Sequence, residues 1–358
     1  MNPRTLRGTA FAALVFLLVQ LGALALVPTF DAAGYQAVEN PSDPTNSFVY
    51  IGAILVATAG MLLAFRYDAA WTVRALVLFS SGLLSWYVFS AVVPPTLVVQ
   101  TGAGYLDLLT LGLAAGVSLA LYFYPEWYVV DTAGVLMGAG AAGLFGISFG
   151  VLPAIVLLAV LAVYDAISVY GTEHMLSLAE GVMDLRVPVV LVIPLSLSYS
   201  LLDDDFSGAS DVHEGDEERE NESENSEGRE NENSVEKSAV ADGDGVKKPE
   251  ENETDAGRDA FFIGLGDAVM PTVLVASAAF FSPAATLGFG AIPALNLPAL
   301  AAMVGTFLGL GVLMWAVAKG RAHAGLPLLN GGAIGGYLVG SLLAGVSLVQ
   351  ALGIAPYL

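Results

Sequence analysis

Apolar residues in this chain gather into nine runs of about 20, near 8–29, 46–65, 71–93, 103–123, 128–149, 151–171, 260–281, 296–318 and 326–351. Wound as an α-helix at about 1.5 Å per residue, a run of that length crosses the roughly 30 Å hydrocarbon core of a bilayer. The pattern therefore predicts an all-α polytopic membrane protein with nine transmembrane helices. Arg4 and Arg7 precede the first run as they would in a secretory leader. That run is long enough to span, however, and Val27-Pro28-Thr29 is a poor small-residue cleavage site, so it is read as a span.

The pattern breaks once, between the sixth and seventh runs. Residues 171–186 mix Glu173, His174, Glu180, Asp184 and Arg186 with apolar positions, which predicts a helix lying in the membrane interface. Arg186-Val-Pro-Val-Val-Leu-Val-Ile-Pro194 is β-branched and bounded by prolines, which predicts extended backbone. Residues 203–258 are acidic and rich in Asn, Ser and Gly, and bury too little apolar surface to offset their ordering entropy. Four parts follow. Residues 1–171 form a six-helix N-terminal half, and 172–202 an interfacial helix and extended segment. Residues 203–258 form an acidic disordered loop, and 259–358 a three-helix C-terminal half.

Composition sharpens this picture. Of 358 residues 56% are hydrophobic and only 13% charged, against about 25% charged in soluble domains. The net charge is −21, and residues 203–258 supply −15 of it, with 21 of the 34 acids and 6 of the 13 Lys and Arg. That concentration reads as a solvated linker of the kind found in acid-rich proteomes adapted to high salt. Arg186 aside, the basic residues outside that stretch lie at Arg4 and Arg7, at Arg66 and Arg74 between the second and third runs, and at Lys319 and Arg321 between the eighth and ninth. With nine spans these places share one side, which the positive-inside rule makes cytoplasmic. The N-terminus and the acidic loop then face the cytoplasm and the C-terminus lies outside.

Residue types exclude several chemistries. There is no cysteine for a nucleophile, disulfide or thiolate metal site. The three histidines, His174, His213 and His323, form no HExxH pattern, so a zinc-dependent intramembrane protease has no ligand set. No histidine or lysine within a run could activate a serine. Neither a metal nor another cofactor is expected, and no nucleic acid is expected as a partner.

What remains are acids inside apolar helices. Asp165 lies late in the sixth run within Val156-Leu-Leu-Ala-Val-Leu-Ala-Val-Tyr-Asp-Ala-Ile-Ser-Val-Tyr170, and Asp267 early in the seventh within Phe261-Phe-Ile-Gly-Leu-Gly-Asp-Ala-Val-Met270. An acid there costs about 2.5–3.5 kcal/mol on insertion scales and marks function. The two runs are antiparallel neighbours, and each acid lies roughly five to six residues from the cytoplasmic end, a depth of about 8–10 Å. Two carboxyls at one level share a proton: one takes a proton from water while the other polarises a scissile carbonyl. Gly264 and Gly266, either side of Leu265, leave room for an extended peptide beside Asp267. Acid pairs also serve ion coupling, so a protease and an ion-coupled secondary transporter both remain open on these residues alone. Asp107, Asp131 and Asp184 sit near helix ends or loops, where acids cost little, and are assigned no chemistry.

Tyr164-Asp165, then a hydrophilic loop, then Gly264-Leu265-Gly266-Asp267 resembles the presenilin and signal peptide peptidase family of GxGD intramembrane aspartyl proteases. Tyr164-Asp-Ala-Ile-Ser-Val-Tyr170 with Thr172-Glu-His-Met175 is similar to its archaeal presenilin homologues in particular. The resemblance implies a presenilin-like fold, Asp165 and Asp267 as the catalytic pair, and transmembrane protein or signal-peptide substrates met within the lipid bilayer. It also implies that the 186–194 region pairs with unwound substrate as an added strand. The family's Pro-Ala-Leu motif at the last helix corresponds to Pro327, Leu328 and Leu329, with leucine in place of alanine. Pro327 is open to two readings, a simple helix start and a substrate-binding role. The literal copies Pro293-Ala-Leu295 and Pro298-Ala-Leu300 fall at the outer end of the eighth run and are rejected as decoys.

Overall fold

The computed structural model describes residues 3–67, 69–101, 104–171, 189–195, 199–202, 260–317 and 324–355. The expected interfacial helix with Glu173 and His174, the acidic loop, and Lys319 and Arg321 lie outside these residues. The elements, in chain order, are α1 Pro3–Ala32, α2 Thr45–Arg66, α3 Ala70–Val92, β1 Val98–Thr101, β2 Gly104–Asp107, α4 Leu108–Phe123, α5 Trp127–Ser148 and α6 Val151–Gly171. After these come β3 Val190–Pro194, β4 Ala260–Gly264, α7 Leu265–Phe281, α8 Leu297–Val317, α9 Gly325–Leu343 and α10 Leu348–Ala351. Among the described residues seven helices are long and apolar enough to cross a membrane, and α4 and α7 are shorter apolar helices. Together they make the nine expected.

The chain is a helical membrane bundle, and three expected boundaries move for identifiable reasons. The fourth run was expected from 103, but the chain first forms the β1–β2 hairpin with Val98 opposite Asp107. The Asp107 carboxylate accepts the N–H of Leu97 at 3.0 Å and of Leu109 at 3.4 Å. It thereby closes the hairpin and caps α4 at once. The ninth run was expected to 351, but α9 stops at Leu343. Gly345 takes a left-handed turn (φ 78°), and Ser347 and Gln350 form a capping box that starts α10. The third change concerns the site: residues 260–264, expected as the start of the seventh helix, are strand β4.

β4 pairs antiparallel with β3, setting Val190 against Gly264, Val192 against Phe262 and Pro194 against Ala260. The Leu265 N–H continues the ladder to the Val189 carbonyl at 2.7 Å. The extended segment expected at 186–194 is thus a strand over its described part. Residues 261–263 join it because they are apolar in a short run that carries no helical or strand period of its own.

Helices pack where side chains are smallest. α1 lies against α5, with Gly22 so near Ala139 that a Cβ would approach it to 2.8 Å. The tightest pair is α8 with α9. Gly305 and Gly309 of α8 face the carbonyls of Gly332 and Leu328, while Gly332 and Gly336 of α9 face those of Gly305 and Ala301. Small residues every fourth position on both helices bring backbone onto backbone. α9 is also tied to α6 by buried Asn330, whose side-chain amide donates to the Leu158 carbonyl at 3.0 Å. One buried cluster, with Leu158 and Leu161 of α6, Leu274 of α7, Met303 of α8 and Tyr337 of α9, fixes these four helices together.

Candidate active site

Both acids singled out in the sequence come to the N-terminus of α9. Asp165 projects inward from α6 and is only 9% exposed. Its Oδ2 accepts the backbone N–H of Leu326 at 3.0 Å, with the Gly325 amide also turned toward it. The cap position of α9, Ala324, supplies no side-chain cap of its own. Helix starts carry amides without intrahelical acceptors, so Asp165 caps α9 from a neighbouring helix.

Asp267 comes to the same dipeptide. A Cβ built on Gly325 would lie 3.4 Å from Asp267 Oδ2, and one on Gly264 would lie 3.7 Å from that atom. Asp165 is near enough to Asp267 for their charges to interact. A side chain at Gly325 would start in van der Waals contact with the Asp267 carboxyl and with Leu313. The pair meets as expected, though Asp267 arrives by a different route: it is the third residue of α7, directly after the β4 strand, rather than several residues into a longer helix.

The other expected residues divide by role. Leu265 plugs α7 into α5, its Cδ1 at 3.3 Å from where a Cβ on Gly138 would stand. Gly266 has nothing within 4 Å of its Cβ position, leaving open space next to Asp267. Tyr164 is 47% exposed on the outer face of α6, away from the core. Pro327 occupies the first turn of α9, where its missing N–H costs nothing. Leu328 packs against a buried cluster that includes Leu313 and Met314, and Leu329 is fully buried. Pro298 lies against Gly340, at the opposite end of α9 from Gly325, so neither it nor its neighbouring copy belongs to the site.

Asp131 differs from the expectation for an inexpensive helix-end acid: it is 5% exposed within α5 and accepts the Val192 N–H of β3 at 2.8 Å. Its only sequence signal was its place four residues into an apolar run.

Comparison with known proteins places the chain. Residues 13–346 match the family model described as signal-peptide peptidase, presenilin aspartyl protease. Two solved structures, each described as a presenilin family intramembrane aspartate protease, are similar at 32% identity. One, from a C222 crystal, covers 94% of this chain and 99% of its own with a TM-score of 0.58. The other, from a P2 crystal, covers 92% and 96% with a TM-score of 0.54. No curated protein matches. The class is that of multi-pass, membrane-embedded aspartic endopeptidases, which act on transmembrane substrates within the bilayer. The chain belongs to the signal-peptide peptidase and presenilin aspartyl protease family.

Proposed function

We propose that Asp165 and Asp267 are the catalytic pair of this intramembrane protease and that Gly325-Leu326 is the backbone element that sets them. The observation carrying this reading is the convergence of both carboxyls on one dipeptide: Leu326 N–H on Asp165 and Gly325 beside Asp267. Asp165 Oδ2 is engaged by an amide, which leaves Oδ1 to take the proton of an attacking water. Asp267 carries the shared proton and donates it to the scissile carbonyl oxygen as the water oxygen bonds to the carbonyl carbon. Collapse of the resulting gem-diol breaks the C–N bond. The amine leaves with a proton returned through the pair, and one proton again remains on the two carboxyls.

Substrates of this reading are single-span membrane proteins and signal peptides, cut within the bilayer. The open space at Gly266 gives the unwound peptide its place beside Asp267. β3 and β4 lie next to it as an edge to which that peptide adds as a strand. The end of the bundle holding the site also holds the N-terminal half of α1, since Ala12 and Val15 pack in one cluster with Leu191 and Ile263. Together with the basic residues at Arg7, Arg66 and Arg74, this supports a cytoplasmic placement of that end.

The test is cleavage of a reporter with one transmembrane helix by purified protein in detergent at high salt. Asp165→Asn and Asp267→Asn should each abolish cleavage, as should a transition-state inhibitor of aspartyl proteases. Retained cleavage in either variant would refute the assignment.

A further inference from the structure

The strand that delivers Asp267 does not hold itself in place. β3 and β4 are five residues each, and a two-stranded ribbon of that size is marginal alone. In the observed register the 191 and 193 positions of β3 turn their backbone groups toward β4, so the Val192 N–H points the other way. There it meets Asp131 Oδ1 at 2.8 Å. Asp131 Oδ2 is buried too and has no hydrogen-bond partner among the described residues. An acid kept at 5% exposure for one backbone amide is expensive unless that amide's position matters.

The same face of α5 seats the side chains around this bond. One turn on from Asp131, a Cβ at Gly134 would meet Leu191 Cδ2 at 2.9 Å; at Gly138 it would meet Leu265 Cδ1 at 3.3 Å. Asp131, Gly134 and Gly138 are spaced as neighbours along one helical face. This face therefore carries β3 by a hydrogen bond, Leu191 by a notch, and Leu265, two residues before Asp267, by a second notch. Just before α5, Glu126 takes the Ser200 hydroxyl at 2.7 Å and the Leu201 N–H at 3.1 Å, fastening the chain beyond β3.

From this arrangement we infer that Asp131 is a positioning residue: it fixes the height of the β3–β4 ribbon on α5 and thereby the register in which a substrate peptide meets the Asp165–Asp267 pair. The inference rests on that pair being catalytic. It separates Asp131 from a residue that only stabilises the fold, because a loosened ribbon changes where the substrate is cut as well as how fast.

The experiment uses the full chain, a single-span reporter and mass spectrometry of the products. Asp131→Ala should lower kcat/KM about ten- to a hundredfold, the scale of a misplacement of about 1 Å, and spread cleavage over neighbouring peptide bonds. Asp131→Asn, which keeps the acceptor for the Val192 amide, should restore both the rate and the product pattern. Val192→Pro deletes the donor while leaving the ladder to β4 intact, and should reproduce the Ala pattern. The double variant should be no worse than either single one. An unchanged product pattern in both Ala and Pro variants overturns the inference, as does unfolding of both. The dyad is judged separately, since Asp165→Asn and Asp267→Asn silence every product if it is right.

Discussion

Asp165 on α6 caps α9 through its hydrogen bond to Leu326, so the carboxylate proposed here as catalytic is also the joint between two halves of the bundle. Those residues are 161 positions apart. If Asp165 and Asp267 are the catalytic pair, movement of α9 shifts a hydrogen bond to one of them, and activity should depend on where α9 begins.

Leu326→Pro tests that joint. Proline fits the first turn of a helix but brings no N–H, so α9 should still form while Asp165 loses the Leu326 donor and keeps only the Gly325 amide. Cleavage should fall by about tenfold or more, the weight of one lost hydrogen bond to a charged group at about 1.5–3 kcal/mol. Circular dichroism should be unchanged. Full activity in this variant would show that the Leu326 amide has no part in the reaction.

The α8–α9 contact should tolerate no bulk. In Gly332→Leu the new side chain would run into the Gly305 backbone. Overpacking of a tight contact costs about 1–3 kcal/mol, and here it also pushes α9 away from Asp165. The thermal midpoint in detergent should fall, with activity lost at temperatures where the variant remains folded. Gly331→Leu, at a position with nothing within 4 Å of its Cβ, should be nearly silent in both measurements.

Asn330→Leu removes the tie from α9 to the Leu158 carbonyl. Side-chain hydrogen bonds between membrane helices are worth about 0.6 kcal/mol on average and up to about 1.7. A modest drop in thermal midpoint is expected, with a larger drop in kcat than in substrate binding because Asp165 lies two turns along α6 from Leu158. Equal losses in binding and turnover would place Asn330 in general packing only.

Shortening the acidic loop should leave the enzyme working. The ends of the flanking chain are independently held, Leu201 by Glu126 and Ala260 by its pairing with Pro194. Replacing residues 210–250 with a short Gly-Ser linker should preserve cleavage of the reporter within about twofold, since the closure cost changes only slowly with loop length. A collapse of activity would give the loop a direct part in substrate handling.

Much of the enzyme was legible in the sequence because its strongest signals are local. Spans follow from run length, since a bilayer demands about 20 apolar residues whatever the neighbours are. Asp165 and Asp267 stood out because an acid in such a run is costly wherever it points. The Gly264-Leu265-Gly266-Asp267 string and the Tyr164-Asp165 pair carried the family resemblance on their own.

Tertiary structure alone decided what those residues touch. Ala260–Gly264 could be read as helix because Phe261-Phe-Ile is apolar without a period; only pairing with β3, far away along the chain, made it a strand. Asp131 looked inexpensive at a helix end until burial under β3 gave it a backbone amide to hold. Leu326 carried no mark at all, because an uncapped helix amide finds its acceptor in space. Hydropathy and motif spacing record what each segment costs in its solvent, whereas a hydrogen bond between distant segments is set by how the whole bundle closes.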